Sequence, residues 1–406
     1  MTHVTFVTGA YRPDRCGVAD YTAHLRDALA QHGVQSTVLT THTAAQAANH
    51  ATVQGAVPNW SLSSLIPLVR KIFATETTLL HIQHAAGSFE FQRSLFLLPF
   101  LLRRLGYRKP IVTTAHEYGW WEWQPKWAPA GLLEFLKQWG QERHWWDRED
   151  GFLLTGSNAI LTTNDNIASV MGDRLPWLRD RIYPIPIAAN IDVVECDRTQ
   201  ARQQLRQHCG WPENAQVLAF FGFLHPVKGL ETLLKAFSQV VVRHPQARLL
   251  IVGGVETLAL QGQDAKQYWD KLQQQIVALG LEQQVHCTGY VDGDTASRYL
   301  SGADIGVLPF NPGVTLKSGS LLALLAHQLP TVITQSDETD AALVTAEFVR
   351  RVSPRDDEQL AQALTTLLEN ADERQRLGQM GQAFVQQFGW DAIASQHLRI
   401  YHSFNR

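Results

Sequence analysis

The chain has no CxxC spacing: its four cysteines, Cys16, Cys196, Cys209 and Cys287, are scattered, which excludes a zinc knuckle and offers no disulfide framework. None of its sixteen histidines forms a close HxH or HxxxH pair, so the pairings usual for zinc are missing too. Nowhere do about 18 uninterrupted apolar residues occur, the length a spanning helix needs. The opening MTHVTFVTGAY lacks a basic segment leading into an apolar one, and the expectation is a chain without an export signal, at home in a reducing cytoplasm. A net charge of -3 leaves no basic surplus for nucleic acid. There is no repeat of 20 to 50 residues and no low-complexity tract, although 41–55 is rich in Ala, Thr and Gln and reads as a helix edge or mobile loop.

What is present is a globular composition, 45% hydrophobic and 18% charged over 406 residues, enough for two cores rather than one. Short apolar or β-branched runs alternate with longer helical patterns. Val4–Thr8, Thr37–Thr40, Leu79–Gln83 and Ile111–Thr114 read as buried strands, and Val217–Phe221, Leu249–Val252, Asp304–Leu308, Thr331–Thr334 and Phe348–Val352 repeat the pattern. The spacing predicts two doubly wound α/β domains. Tyr183-Pro-Ile-Pro-Ile-Ala-Ala-Asn-Ile-Asp192 interrupts the periodicity, which puts the boundary near residue 190. Ligands of open α/β sheets bind beyond the carboxyl ends of the strands, so two facing domains predict an interdomain cleft and direct attention to the loops after strands.

Four such loops carry chemistry. Arg12-Pro-Asp-Arg-Cys-Gly-Val-Ala-Asp-Tyr21 brings Gly17 to a helix entrance, where unpaired N–H groups favour an anion; a plain tight turn needs the same glycine. Thr113-Thr-Ala-His-Glu-Tyr118 sets His116 directly after an apolar strand, either as a cleft hydrogen-bond donor or as a histidine satisfying loop backbone. In Phe221-Gly-Phe-Leu-His-Pro-Val-Lys-Gly-Leu-Glu231, Lys228 opens a helix and can reach a phosphate there, or is a surface lysine. In the segment 309–327, Lys317 adds charge beside adjacent N–H donors at Gly319 and Ser320, or the turn is an ordinary connection.

In this order and at these distances, Cys16-Gly-Val-Ala-Asp-Tyr21, Thr114-Ala-His116, Val227-Lys-Gly229 and Lys317-Ser-Gly-Ser-Leu-Leu-Ala-Leu-Leu-Ala-His327 resemble signatures of the retaining group 1 glycosyltransferases, family GT4, of the GT-B class. Phe388-Gly-Trp-Asp-Ala-Ile-Ala is similar to that family's terminal helix. The resemblance implies an acceptor-binding domain over 1–190, a nucleotide-sugar-binding domain over 191–385, and a segment 386–406 that packs back on the first domain. It further implies that Gly17 approaches the donor, His116 the transferring sugar, Lys228 the diphosphate, and Gly319 and Ser320 its oxygens, with Lys317 in support and the base near Tyr290. The donor would be a UDP- or GDP-sugar, transfer would proceed with retention, and neither metal nor cofactor would be needed.

Two departures stand out. Phe223 replaces an arginine common in relatives, and the family's pair of glutamates falls at Thr315 and Ala323, neither a carboxylate. This points to altered sugar recognition, or to an inactive relative. Asp292-Gly-Asp294 has bare DxD spacing, but reads better as a turn with Asp294 capping a helix. Tryptophans crowd 120–146, and Trp120, Trp121 and Trp123 are candidates for acceptor contact or for helix packing. The run 95–102, followed by Arg103, Arg104, Arg108 and Lys109, fits either peripheral contact with an anionic membrane at its inner face or a buried helix. Competing readings are a sugar-nucleotide epimerase or hydrolase on the same scaffold, and a non-catalytic nucleotide-sugar-binding subunit.

Overall fold

A computed structural model describes residues 2–119, 129–258, 260–337 and 339–404. The chain forms two compact units, one of Met1–Ile187 together with Trp390–Arg406 and one of Ala188–Gly389.

The first unit holds a parallel sheet of β1 (His3–Thr8), β2 (Gln35–Thr41), β3 (Val53–Val57), β4 (Leu79–His84), β5 (Ile111–Ala115), β6 (Ala159–Thr162) and β7 (Ile182–Pro184), in the order β3-β2-β1-β4-β5-β6-β7. The second holds β8 (Gln216–Phe221), β9 (Ala247–Val252), β10 (Val285–Cys287), β11 (Ile305–Leu308), β12 (Thr331–Thr334) and β13 (Val349–Val352), in the order β10-β9-β8-β11-β12-β13. Both are Rossmann-like. Central strands such as β4 and β5 are buried along their whole length, because helices cover both faces of a parallel sheet. In each sheet the strand order reverses beside the first strand, between β1 and β4 and between β8 and β11. Crevices at such reversals are where open α/β sheets bind ligands.

The sequence reading missed four strands, all short and three of them at sheet edges. β3 carries Gln54 and Gly55, which break its apolar run, and β7 ends in Pro184, tolerated because an edge strand leaves one side unpaired. Two expectations are corrected accordingly. Residues 41–55 are a helix, His42–Ala48, capped by the Thr41 hydroxyl accepting from the Ala44 N–H at 3.2 Å, followed by β3. Tyr183 and Pro184 pair with Leu161 and Thr162, so the start of the expected connection belongs to the first sheet. The apolar run 95–102 is largely core: Leu95, Phe96, Leu98 and Leu102 are buried with Leu65, Leu68 and Ile72, while Leu97, Phe100 and Leu105 are exposed. No helix among the described residues is long and apolar enough to cross a membrane.

Asp304 holds the amino ends of the second sheet together. Its carboxylate accepts from the β8 amide of Val217 and from Arg206, both at 2.8 Å, and from Arg202. Arg206 is buried and spends its remaining donors on the carbonyls of Ala215, Gly302 and Arg202. Removing one member of a buried pair strands the other charge. Asp304→Ala is expected to destabilise the second unit by about 3 kcal/mol, read as a lowered urea midpoint for its transition; an unchanged midpoint would refute the assignment.

Candidate functional site

Each candidate loop follows a strand at a carboxyl end: Gly17 after β1, His116 after β5, Lys228 after β8, Tyr290 after β10, and Lys317, Gly319 and Ser320 after β11. They fall into two groups, one per unit.

In the second unit the loops after β8 and β11 are tied together. Gly229 takes a left-handed φ of 67°, and a Cβ there would lie 1.9 Å from the carbonyl oxygen of Pro309. Asn311 donates from its side chain to the Pro226 carbonyl and from its backbone to that of Val227, both at 2.9 Å. Lys228 therefore stands on a loop braced against its neighbour. The Lys228 ammonium is half-buried, 3.7 Å from the centroid of the Phe310 ring, and among the described residues no carboxylate pairs with it. Burial lowers its pKa to about 8, with the charge of Lys317 contributing. Lys317 itself is exposed.

The helix Gly319–Ala326 begins in the same crevice. Ser318 caps it, accepting from the Leu321 N–H at 3.3 Å, and the Ser318 carbonyl takes the Leu322 N–H. The amides of Gly319 and Ser320 precede Leu322, the first intrahelical donor, so they open the helix with the positive end of its dipole. A Cβ on Gly222, at the end of β8, would come within 2.6 Å of the Ser320 hydroxyl, which brings the second loop onto the first. Two cations and two helix-opening amides thus gather at the reversal between β8 and β11, an arrangement suited to an anion. Tyr290 is exposed after β10, with its backbone beside Gly254 in the loop after β9.

Thr315 and Ala323 lie on this loop and helix. Thr315 is half-buried and accepts the Ser318 N–H through its carbonyl. Ala323 is fully buried and its carbonyl meets His327 Nδ1 at 2.7 Å. Asp294 is not the cap expected of it: Asp292 caps the helix Gly293–Gly302, accepting from the Thr295 N–H and hydroxyl at 2.8 Å each. An Asx cap sits before the first helical residue, and the helix begins at Gly293.

In the first unit, a Cβ on Gly17 would meet nothing within 4 Å, so packing gives no reason for glycine at this helix entrance. One turn later Tyr21 presents its ring edge to His116, with centroids 4.9 Å apart. His116 is half-buried, donates its backbone N–H to the His84 carbonyl at 2.9 Å, and has Nε2 2.8 Å from Gln83 Oε1. Gly17 and His116, distant in sequence, thus meet through Tyr21.

The loop after His116 is clamped by an acidic turn that sequence reading did not single out. Asp147 accepts from the Tyr118 hydroxyl at 2.9 Å, Glu149 accepts from the Gly119 N–H at 2.8 Å and from Arg174 at 2.7 Å, and Asp150 lies 3.8 Å from His84. Burial raises the Asp147 pKa to about 6 and that of Asp150 well above its usual range, neighbouring carboxylates adding to it, while burial lowers His84 to about 4. His84 accordingly stands neutral at neutral pH, and the shift at Asp150 is towards its neutral form. The one sequence signal was the density of acids in Asp147-Arg-Glu-Asp150. Trp120, Trp121 and Trp123 lie outside the described residues. Further along, Trp146 covers Gly140 and its ring is 5.6 Å from Phe152, which is helix packing.

Residues 215–370 match the family model described as glycosyl transferases group 1. A D-inositol 3-phosphate glycosyltransferase of Corynebacterium efficiens is 28% identical over 227 residues, 55% of this chain and 51% of that protein. A phosphatidyl-myo-inositol mannosyltransferase of Mycobacterium leprae is 29% identical over 196 residues, 48% of each. The matched region spans about half the length of these curated relatives. Among solved structures, a glycosyltransferase from Rickettsia africae superposes with a TM-score of 0.72 at 14% identity, covering 100% of this chain and 99% of that one. The Anabaena protein HepE in complex with UDP does so with a TM-score of 0.72 at 17% identity, covering 99% and 100%. At such identities the structural likeness is one of fold, the GT-B fold, and the match to the glycosyl transferases group 1 model lies in the second unit, over 215–370.

Proposed function

We propose that the protein transfers a hexose from a nucleoside-diphosphate sugar to a saccharide or lipid-linked acceptor, with retention and without metal or cofactor. The observation that carries this reading is Lys228: a half-buried cation with no carboxylate partner among the described residues, beside two helix-opening amides. Such a site binds an anion at low desolvation cost to the protein, and the anion that gains charge during glycosyl transfer is the departing diphosphate. The acceptor oxygen would bond to the anomeric carbon as the bond to the phosphate oxygen breaks. Its electron pair leaves with the diphosphate, whose oxygen on the same face takes the acceptor proton. His116 and Gly17, by resemblance, serve the sugar and donor, and Tyr290 the base.

Ala323 favours altered sugar recognition. Its position is fully buried, so a carboxylate there would need its own partner, and donor hydroxyls must find other groups. The non-catalytic binding subunit is the second reading, motivated by the same two positions. An epimerase or hydrolase would be revealed by turnover without acceptor. Exposed Leu97, Phe100 and Leu105, with the Arg104 guanidinium 5.3 Å from the Phe100 ring centroid, support peripheral contact with an anionic bilayer that presents the acceptor.

Four outcomes are expected. A metal-free thermal-shift screen with UDP-, GDP-, ADP- and dTDP-sugars should give selective stabilisation by one donor, since ligand that binds only the folded state raises its stability; UDP-glucose is the first choice because HepE is described in complex with it. Silence towards every donor would count against donor binding. With the responding nucleotide, affinity should fall as pH rises through about 8, where Lys228 loses its charge. The sign follows from the ammonium being protonated below that value, and Lys228→Arg should flatten the profile while Lys228→Ala weakens binding throughout. His116→Ala should spare nucleotide affinity and cut turnover about 100-fold; wild-type affinity in Lys228→Ala together with wild-type turnover in His116→Ala would dismiss both roles. Finally, the protein should co-sediment with anionic but not zwitterionic vesicles, and Phe100→Ser should weaken that binding; equal behaviour towards both vesicles would remove the membrane reading.

A further inference from the structure

β4 is buried throughout, yet it carries His81, Gln83 and His84. Residues two apart on a strand share a face, and His81 and Gln83 use that face to form one line of hydrogen bonds. His116 Nε2 lies 2.8 Å from Gln83 Oε1, and Gln83 Nε2 lies 3.2 Å from His81 Nε2. The Thr114 hydroxyl is 2.7 Å from that same His81 nitrogen, and His81 Nδ1 is 2.6 Å from the hydroxyl of Tyr401. Tyr401 belongs to the terminal helix Trp390–Ser403, which also brings His397 Nε2 to 3.4 Å from the Tyr21 hydroxyl. Every member of the line except His116 is buried.

An amide nitrogen only donates and an amide oxygen only accepts. His81 Nε2, facing the Gln83 nitrogen, is therefore an acceptor, its single lone pair shared between that N–H and the Thr114 hydroxyl. The proton of a neutral His81 then sits on Nδ1 and is donated to the Tyr401 oxygen. Burial keeps His81 neutral by lowering its pKa well below the usual range, and the neighbouring His397 and His116 act in the same direction. At the other end of the amide, Oε1 must receive a proton, and Nε2 of His116 is the group that supplies it. A neutral His116 then carries its lone pair on Nδ1. The edge of Tyr21 against the ring limits its rotation.

We propose that Gln83 is a positioning residue for His116: braced by His81, Thr114 and Tyr401, it holds the His116 ring in the Nε2–H tautomer, which makes Nδ1 the acceptor side of the ring. The use of this tautomer rests on the transferase reading above; the tautomer itself does not. It also alters the role expected from the sequence, where His116 stood as a donor. Turning the amide over would reverse every bond in the line and put the His116 proton on Nδ1, so the two arrangements are chemically distinct and separable.

Histidine-ring nitrogen NMR on the full chain tests this directly, with His116 identified by the signals missing in His116→Gln. The expected wild-type spectrum has His116 protonated at Nε2 and bare at Nδ1. Gln83→Leu should let the two nitrogens average, while Gln83→Glu, which keeps an acceptor, should preserve the tautomer. A His116 protonated at Nδ1, or a spectrum unchanged by Gln83→Leu, would overturn the proposal; if Gln83→Leu fails to fold, the wild-type and Gln83→Glu spectra still decide. Once a donor turns over, Gln83→Leu should lower kcat about ten-fold or more with donor KM within about two-fold, and Gln83→Glu should recover most of the loss. An equal rise in KM would indicate a structural role only. Because the spectrum needs no donor, absence of turnover would count against the transferase reading while leaving the tautomer to stand or fall by itself.

Discussion

A carbonyl oxygen of Pro309 occupies the space where a side chain at residue 229 would begin. That single close approach decides much of the second unit's chemistry. It requires glycine, because both the left-handed backbone and the absent Cβ are needed, and it presses the loop after β8 onto the loop after β11. Asn311 bonds across the same gap and braces the segment that carries Lys228. The lowered pKa of Lys228 follows from burial of its ammonium, with the charge of Lys317 adding to it. Braced backbone converts an ordinary cation into one that gains from an incoming anion.

The first unit solves a different problem by similar means. A polar residue inside a strand covered on both faces must find partners within the protein, and β4 has three. His81 and Gln83 find theirs in Thr114, Tyr401 and His116, so a sheet strand, the next strand and the terminal helix are joined by polar atoms. On the other side of the His116 loop, buried carboxylates of Asp147 and Glu149 accept from Tyr118 and Gly119. His116 is thus fixed on one flank by neutral hydrogen bonds and on the other by an acidic clamp. Networks of this kind tolerate the loss of a member badly, because the remaining groups stay buried and unpaired.

Much of this was legible in the residues and some was not. Long apolar runs such as Phe6-Val7 within β1 or Leu218-Ala-Phe-Phe221 in β8 announce parallel strands, because burial on both faces removes the need for alternation. β3, β7 and β10 did not, because edge strands are short and carry Gly, Pro or half-buried residues. Lys228, Gly319 and Ser320 could be placed at a helix entrance from local pattern alone, and the resemblance supplied their grouping. Gln83 could not be found that way: its meaning lies in His81 two residues back, in Thr114 on the neighbouring strand and in Tyr401 near the far end of the chain. The signal available was the period-two polarity of Leu79-Leu-His-Ile-Gln-His84, a stretch whose apolar content alone reads simply as buried strand. Asp292 and Asp294 differ by two positions in an otherwise correct helix start, the usual uncertainty when two acids flank one glycine.

The missing carboxylates at Thr315 and Ala323 bear on whether this site is in use. Ala323 faces the core, and its neighbours Leu321, Leu322, Leu324 and Leu325 are buried around it, so the helix has been packed for an apolar residue rather than left with a gap. A half-buried cation carries a desolvation cost that an uncharged residue of similar length would not. Lys228 stands on a braced loop against an aromatic ring that offers only partial compensation. The unfavourable part of that arrangement has a counterpart only when an anion arrives. The cost at Lys228 and the apolar packing at Ala323 are both what the proposed transfer requires, an anion site beside a sugar pocket that does without those carboxylates.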